Sequence, residues 1–319
     1  MNIDTLKIFW WKLELIVSNQ LEESLIWKLN SLAINRFAIS VDPKERSQAL
    51  LIIWLPSNQY SEKDRNNIET SLIELAEIFQ ESISRSKWEK VQDEDWSSSW
   101  KKHWGPDPVG NRLLILPSWL KCPAKYSNRT VVHLDPGSAF GTGSHPTTRL
   151  CLEALERNPP LNLQVADVGC GSGILGLTAL SLGAKEVLAV DIDPLSVSSS
   201  LKNAGLNYFS ENRFKVLNGS IDTLKNNLNG SLIDLLLCNI LFHVIKEIAP
   251  GFDRVISPNG QAILSGLLVD QIEDITGFLG QIGWQVDASY QQEKWALLYI
   301  KRSPPLAGFV HKKNLSIDR

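Results

Sequence analysis

A run of glycines, two aspartates and an asparagine mark where this chain can do chemistry. Residues 165–176 read VADVGCGSGILG: a short apolar strand meets Asp167 and breaks into Gly169, Gly171 and Gly173 before an apolar helical stretch. Strand, glycine turn and helix together form the crevice in which open α/β sheets hold nucleotide-like ligands. Glycine allows the positive φ and the close approach that such a turn needs. The next apolar strand, 186–190, ends at Asp191, whose carboxylate suits the two hydroxyls of a ribose. Asn239 closes a third strand, 234–238, whose interior Leu235-Leu236-Leu237 reads as buried, so a polar residue at its end needs a reason. Its amide and the adjacent carbonyls offer neutral acceptors to an amine nucleophile. The plainer reading is a turn residue that caps the following helix.

Charge and spacing separate the ligand classes. A dinucleotide fingerprint is G-x-G-x-x-G with the helix N-terminus aimed at a pyrophosphate. Here the third glycine comes one residue early, and Asp167 sits inside the turn. A carboxylate there repels a pyrophosphate and suits a cation carrying an amino group and a sulfonium, which is S-adenosylmethionine. The spacing is weak evidence alone; Asp167 and Asp191 strengthen it. His145 lies in a loop rich in Gly, Ser and Thr. It is a candidate general base or a support for that loop, and the composition favours the second. His243, in the first turn of a helix, reads as a surface or packing residue.

These side chains need a sheet to hold them. Strands at 131–135, 164–166, 186–190, 214–217, 234–238 and 261–265 alternate with helices at 147–156, 174–182, 194–206, 242–256 and 269–282. Ser144 or Thr147 is expected to cap the 147–156 helix, with Pro146 near its first turn. Two last strands, 284–289 and 296–300, follow around a polar turn. The pattern predicts an α/β fold: a mostly parallel, doubly wound sheet with an antiparallel C-terminal strand. Ahead of it, strand 8–17, helix 20–33, strands 37–41 and 49–55 and helix 61–84 predict a small ferredoxin-like α+β domain. That unit shows no catalytic constellation; packing, oligomerisation and docking of a partner all fit it. Trp96, Trp100 and Trp104 recur every four residues and so share a helix face, which reads as packing. Gly105-Pro106-Asp107-Pro108 is either a hinge or a stiff spacer, and 111–120 reads as an edge strand interrupted by Pro117. The expected division is 1–85 α+β domain, 86–120 Trp-rich linker, 121–302 cofactor-binding domain, and 303–319 a basic, disordered tail.

Bulk properties exclude several classes. No apolar run of the 319 residues approaches the ~20 needed to cross a bilayer. The N-terminus, with Asp4 early, does not look like a signal peptide, so cytoplasm is the expectation. The four cysteines include no C-x-x-C pair, so neither a metal site nor a disulfide framework is implied. A net charge of −3 argues against broad nucleic-acid binding.

DPGSAFGTGSHPTT at 135–148, DVGCGSGIL at 167–175, DIDP at 191–194 and CNIL at 238–241 together resemble the ribosomal protein L11 methyltransferase family (PrmA). EDW at 94–96 and PSW at 117–119 match its central region as well. The resemblance implies a class I S-adenosylmethionine-dependent methyltransferase with a Rossmann-like sheet. It also implies methylation of lysine ε-amines and the N-terminal α-amine of large-subunit ribosomal protein eleven (L11), which the N-terminal domain recognises. Neither a membrane nor direct nucleic-acid binding is required. By motif match the family's cofactor contacts fall on Thr148, Gly169, Asp191 and Asn239, with Phe140 in the same loop. Asp167 and Gly171 complete the cofactor set, and Asn239 is also the expected catalytic residue. The first 90 residues align with no motif of the family. A rival reading, methylation of nucleic-acid bases, predicts a basic groove with exposed aromatics. The net acidity and the lack of a basic run in 130–300 count against it.

Overall fold

The computed structural model describes residues 9–32, 34, 36–41, 47–92, 104–135 and 143–303. Phe140, Trp96, Trp100 and the 304–319 tail lie outside the described residues. The chain opens with β1 (Phe9–Ser18), α1 (Glu22–Ser31), β2 (Phe37–Val41), β3 (Gln48–Pro56), α2 (Glu62–Ile78) and β4 (Arg85–Gln92). The four strands form an antiparallel sheet in the order β2-β3-β1-β4, the ferredoxin-like arrangement. Alternation along β1 sends Leu13, Leu15 and Val17 into one core with Leu25, Leu29 and Leu72 of the helices. Trp10 packs with Ile52 and Trp54 in a smaller cluster.

Two expectations change in this unit. Helix α2 starts at the Ser61–Asp64 capping box and ends at Ile78, where Gln80 adopts a left-handed φ of 58° and turns the chain. The chain then returns as β4 rather than entering a connector. Lys87 and Glu89 make β4 read as linker, but charged residues are usual on an edge strand. Trp88 packs against the core and donates Nε1–H to Glu69 at 2.7 Å.

A second, three-stranded sheet follows: β5 (Asp107–Val109), β6 (Leu113–Pro117) and β7 (Thr130–Leu134). β6 is its buried middle strand, not an edge, and Pro117 ends it instead of interrupting it. Val109, Leu113, Ile115, Val132 and Leu134 share a core with the helices of the main sheet. Arg149 pairs with Asp107 at 2.7 Å and donates to the Pro108 carbonyl at 2.7 Å. Asp107-Pro108 is thereby tied to the first turns of the next helix.

The main sheet is built from α3 (Pro146–Arg157), β8 (Gln164–Val168), α4 (Ile174–Ser181), β9 (Glu186–Asp191), α5 (Pro194–Leu206), β10 (Phe214–Asn218), α6 (Ile221–Asn227), β11 (Ile233–Asn239), α7 (Phe242–Ile248), β12 (Ile256–Leu268), α8 (Ile272–Gln281), β13 (Trp284–Gln292) and β14 (Trp295–Arg302). Its order is β10-β9-β8-β11-β12-β14-β13. The first five are parallel, and β14 runs antiparallel to both neighbours. Leu235 and Leu237 of β11 enter one core and Leu236 and Cys238 the other, which is why the strand reads as a continuous apolar run. Helix α7 is shorter than expected because Pro250 converts the rest to a 3-10 turn. Strand order reverses between β8 and β11, and at such a switch point the carboxyl ends of the strands frame the crevice in which open α/β sheets bind ligands.

Candidate active site

The glycine turn after β8 holds Gly169, Gly171 and Gly173 at φ of +72°, +55° and +82°. Four of its amides are already engaged. Gly169 N–H and Cys170 N–H donate to the Val190 carbonyl, Gly171 N–H to Asp191 Oδ2 at 2.9 Å, and Gly173 N–H to the Cys170 carbonyl. Asp167, 1% exposed, accepts from Gly176 N–H at 2.9 Å and so caps the first turn of α4 from the end of β8. A phosphate-binding helix N-terminus needs those amides free and no carboxylate beside them. This turn suits a ligand held by shape and by acceptors.

Burial pushes the Asp167 carboxyl up from the ordinary 3.8 to about 7, against the Gly176 hydrogen bond and with added repulsion from Asp191. A carboxyl raised on folding contributes stability that is full below pH ~4 and is lost as pH rises through ~7. The ligand-free protein is therefore expected to lose on the order of 3–4 kcal/mol between pH 4 and pH 8 from this group. Urea unfolding at the two pH values checks it: Asp167→Asn keeps an acceptor for Gly176 and should flatten the slope.

Asp191, 9% exposed, accepts from Asp193 N–H through Oδ1 at 2.9 Å and from Gly171 N–H through Oδ2. The two donors fix the carboxylate plane and leave each oxygen further acceptor capacity, the pattern a vicinal diol requires. Burial raises its pKa, and the Asp193 and Gly171 amides oppose that. The turn is braced from below by α5. Ser200 donates to the Gly171 carbonyl at 2.8 Å and Asn203 to the Ser172 carbonyl at 2.9 Å, while Asn203 Oδ1 accepts from Asp135 N–H. Asn207 donates to the His133 carbonyl and accepts its N–H. The sequence reading missed these residues, although their spacing on one helix face was available as a signal.

Across the crevice, Asn239 at the end of β11 donates Nδ2–H to Thr148 Oγ1 at 3.3 Å. With its nitrogen engaged, Oδ1 is the acceptor that Asn239 has to offer. Ile240 follows between two glycines. A Cβ on Gly169 would stand 2.4 Å from Ile240 Cγ2, and one on Gly266 would stand 2.2 Å from the Ile240 carbonyl oxygen. Gly266, at φ +82°, lies where the β12–β14 register shifts between Leu264 and Leu267. It too was missed; a glycine inside a strand is itself the signal for a bulge or a close backbone approach.

His145 is 3% exposed and is the N-cap of α3, in place of Ser144 or Thr147: Nδ1 accepts from Thr147 N–H at 3.3 Å. Nε2 lies 3.4 Å from the Gln20 carbonyl, and the ring meets Trp295 edge-on at 4.9 Å. Both nitrogens are engaged, which matches loop support rather than base catalysis. His243 is exposed on α7. Burial pushes the Cys170 and Cys238 thiols up, so neither offers a thiolate. Gly171 and Asp191 are thus joined by a hydrogen bond, with Gly169 held by the Val190 carbonyl beside them and Asp167 by Gly176 N–H behind the turn, and Thr148 and Asn239 meet next to Ile240, which packs against Gly169.

Relatives bear on this geometry over nearly the whole chain. The family model for ribosomal protein L11 methyltransferase (PrmA) matches residues 9–303. A Prochlorococcus marinus protein named ribosomal protein L11 methyltransferase is 52% identical over 95% of this chain and 100% of its own length. A Synechococcus sp. protein of the same name is 48% identical over 92% of this chain and 97% of its own. The crystal structure of ribosomal protein L11 methylase from Lactobacillus delbrueckii subsp. bulgaricus superposes with a TM-score of 0.57 at 33% identity, covering 63% of this chain and 100% of that one. The match begins in β1 and ends just beyond β14, so it takes in the first 90 residues that carry no family motif: the chain belongs to the ribosomal protein L11 methyltransferase family.

Proposed function

We propose that this methyltransferase transfers the methyl group of S-adenosylmethionine to amines of ribosomal protein L11, namely lysine ε-amines and the N-terminal α-amine. The observation that carries the reading is the polarity of the crevice. The glycine-turn amides of Gly169, Cys170, Gly171 and Gly173 are engaged internally, Asp167 lies buried behind the turn, and Asp191 and the Asn239 amide oxygen offer acceptors to a cationic, hydroxylated cofactor. When bound, S-adenosylmethionine supplies a methyl on a sulfonium, an activated leaving group that departs as a thioether when the C–N bond forms. Asp191 holds the ribose hydroxyls, and the left-handed glycines let the backbone lie against the cofactor. Thr148 steadies Asn239, which with the Ile240 carbonyl accepts the N–H groups of the amine and directs its lone pair at the methyl carbon.

Lysine has an ordinary pKa of about 10.4, so the amine must reach the site neutral. Desolvation and a nearby positive charge both lower that value. The proton leaves to water, with no part for His145. Asn239→Ala is expected to lower turnover ~100-fold while cofactor affinity falls ~10-fold or less. Single-turnover rates beside calorimetric titration check this, and wild-type turnover would remove the assigned role. The N-terminal sheet is the surface we assign to L11 recognition. Incubation with labelled cofactor and either large-subunit ribosomal proteins or RNA tests the whole reading. Label is expected on amines of L11; label on RNA, or none, would overturn it.

A further inference from the structure

The N-terminal unit touches the main unit beside the crevice, and the contact is unevenly built. Glu22, the first residue of α1, is a carboxylate only 1% exposed, and it accepts a hydrogen bond from Ser144 Oγ. Two residues earlier, the Gln20 carbonyl lies against His145 Nε2. Gln20 also donates to Glu293 at 3.0 Å, and Lys294 pairs with Glu81 at 3.2 Å, both in the turn between β13 and β14. The Lys294 pair is partly hydrated, the kind of pair worth little. The Glu22 contact is of another class, because a carboxylate withdrawn from water is tolerated only with its hydrogen bonds made.

Ser144 and His145 lead directly into α3. His145 caps that helix, and the Arg149 amide donates to the His145 carbonyl at 3.0 Å. Thr148, three residues on, meets Asn239. Ser265 Oγ, in turn, reaches the carbonyls of Thr147 and Ala296. The end of α3 that carries Thr148 is therefore fixed from the sheet on one side and from the N-terminal unit on the other.

We propose that Glu22 is a positioning residue for the cofactor site: its buried carboxylate holds Ser144 and the His145 cap, and so sets Thr148 against Asn239. This rests on the reading that Thr148 and Asn239 flank the cofactor. The N-terminal unit is then a working part of the crevice as well as a handle for the protein substrate. If the two units part, Glu22 hydrates and Ser144 loses a charged acceptor. Docking of the units and binding of the cofactor accordingly favour one another by the same factor, as linkage requires.

The test uses the full chain with Glu22→Ala, Glu22→Gln, Ser144→Ala and the Glu22→Ala/Ser144→Ala pair, and Lys294→Ala as control. Hydrogen exchange at the Thr147 and Arg149 amides is measured without cofactor, and S-adenosylmethionine affinity by calorimetry. Glu22→Ala and Ser144→Ala should each speed exchange and weaken affinity ~10-fold, as expected for a lost hydrogen bond to a charged group. The double variant should be no worse than Glu22→Ala, Glu22→Gln should recover most of both effects, and Lys294→Ala should change neither. Unchanged exchange in both single variants, additive losses in the double, or a Gln as damaging as the Ala would overturn the proposal. Should Glu22→Ala not fold, Ser144→Ala and Glu22→Gln still decide it. Normal cofactor binding by Asp191→Ala would instead sink the cofactor reading, with the exchange data left to judge the contact.

Discussion

Asp191→Asn is expected to weaken S-adenosylmethionine binding ~100-fold or more, close to the effect of Asp191→Ala. The usual conservative swap fails here because both carboxylate oxygens face backbone donors, Gly171 N–H on one side and Asp193 N–H on the other. An amide must turn its NH2 toward one of them, setting donor against donor, and it offers the ribose one acceptor oxygen in place of two. Hydrogen bonds to a charged group contribute about 1.5–3 kcal/mol each, and ~2.7 kcal/mol is a factor of ~100. Calorimetric titration of wild type and both variants measures it. Asn binding within a few-fold of wild type would show that Asp191 does not hold the ribose.

Gly266→Ala is expected to cost more turnover than cofactor affinity, on the order of ~100-fold in turnover. A residue with a Cβ at φ +82° is strained by roughly 1–3 kcal/mol. The larger effect is local, since the new Cβ would stand 2.2 Å from the Ile240 carbonyl oxygen and 2.8 Å from its carbon. Backbone cannot yield as a side-chain tip can, so residues 239–241 must shift, and the acceptors meant for the amine shift with them. A displacement near 1 Å costs about 100-fold in rate. Turnover on L11, cofactor titration and a melting curve separate the outcomes. A variant that melts earlier yet turns over normally would detach Gly266 from the site.

The main sheet was legible because its five parallel strands are built on apolar runs, each with a helix after it. The glycine turn was legible because three closely spaced glycines after an apolar run mark backbone that needs positive φ. What stayed hidden depended on contacts distant in sequence. β4 carries charge on its outer side, so it read as linker until its pairing with β1 placed it. β6 read as an edge because of Pro117, whose place at the strand's end costs no ladder hydrogen bond inside it. The α3 cap could have been found: Pro146 at the first helical position makes the residue before it the N-cap, and that residue is His145. Gly266 and the Ser200-Asn203-Asn207 face act only on backbone that the fold brings to them. Glu22 gave no sign of burial, since an acidic residue opening a helix ordinarily stays in water.

β14 also imposes an order on synthesis. It lies between β12 and β13 in the sheet but comes last among the strands of the described residues. Until residues 295–302 emerge during translation, β12 keeps an open edge, Ser265 has no Ala296 carbonyl to bond, and His145 has no Trp295 to pack against. Exposed strand edges invite mispairing. A nascent chain stalled before Trp295 would therefore hold every residue of the glycine turn, Asp191 and Asn239, yet remain both inactive and prone to aggregate.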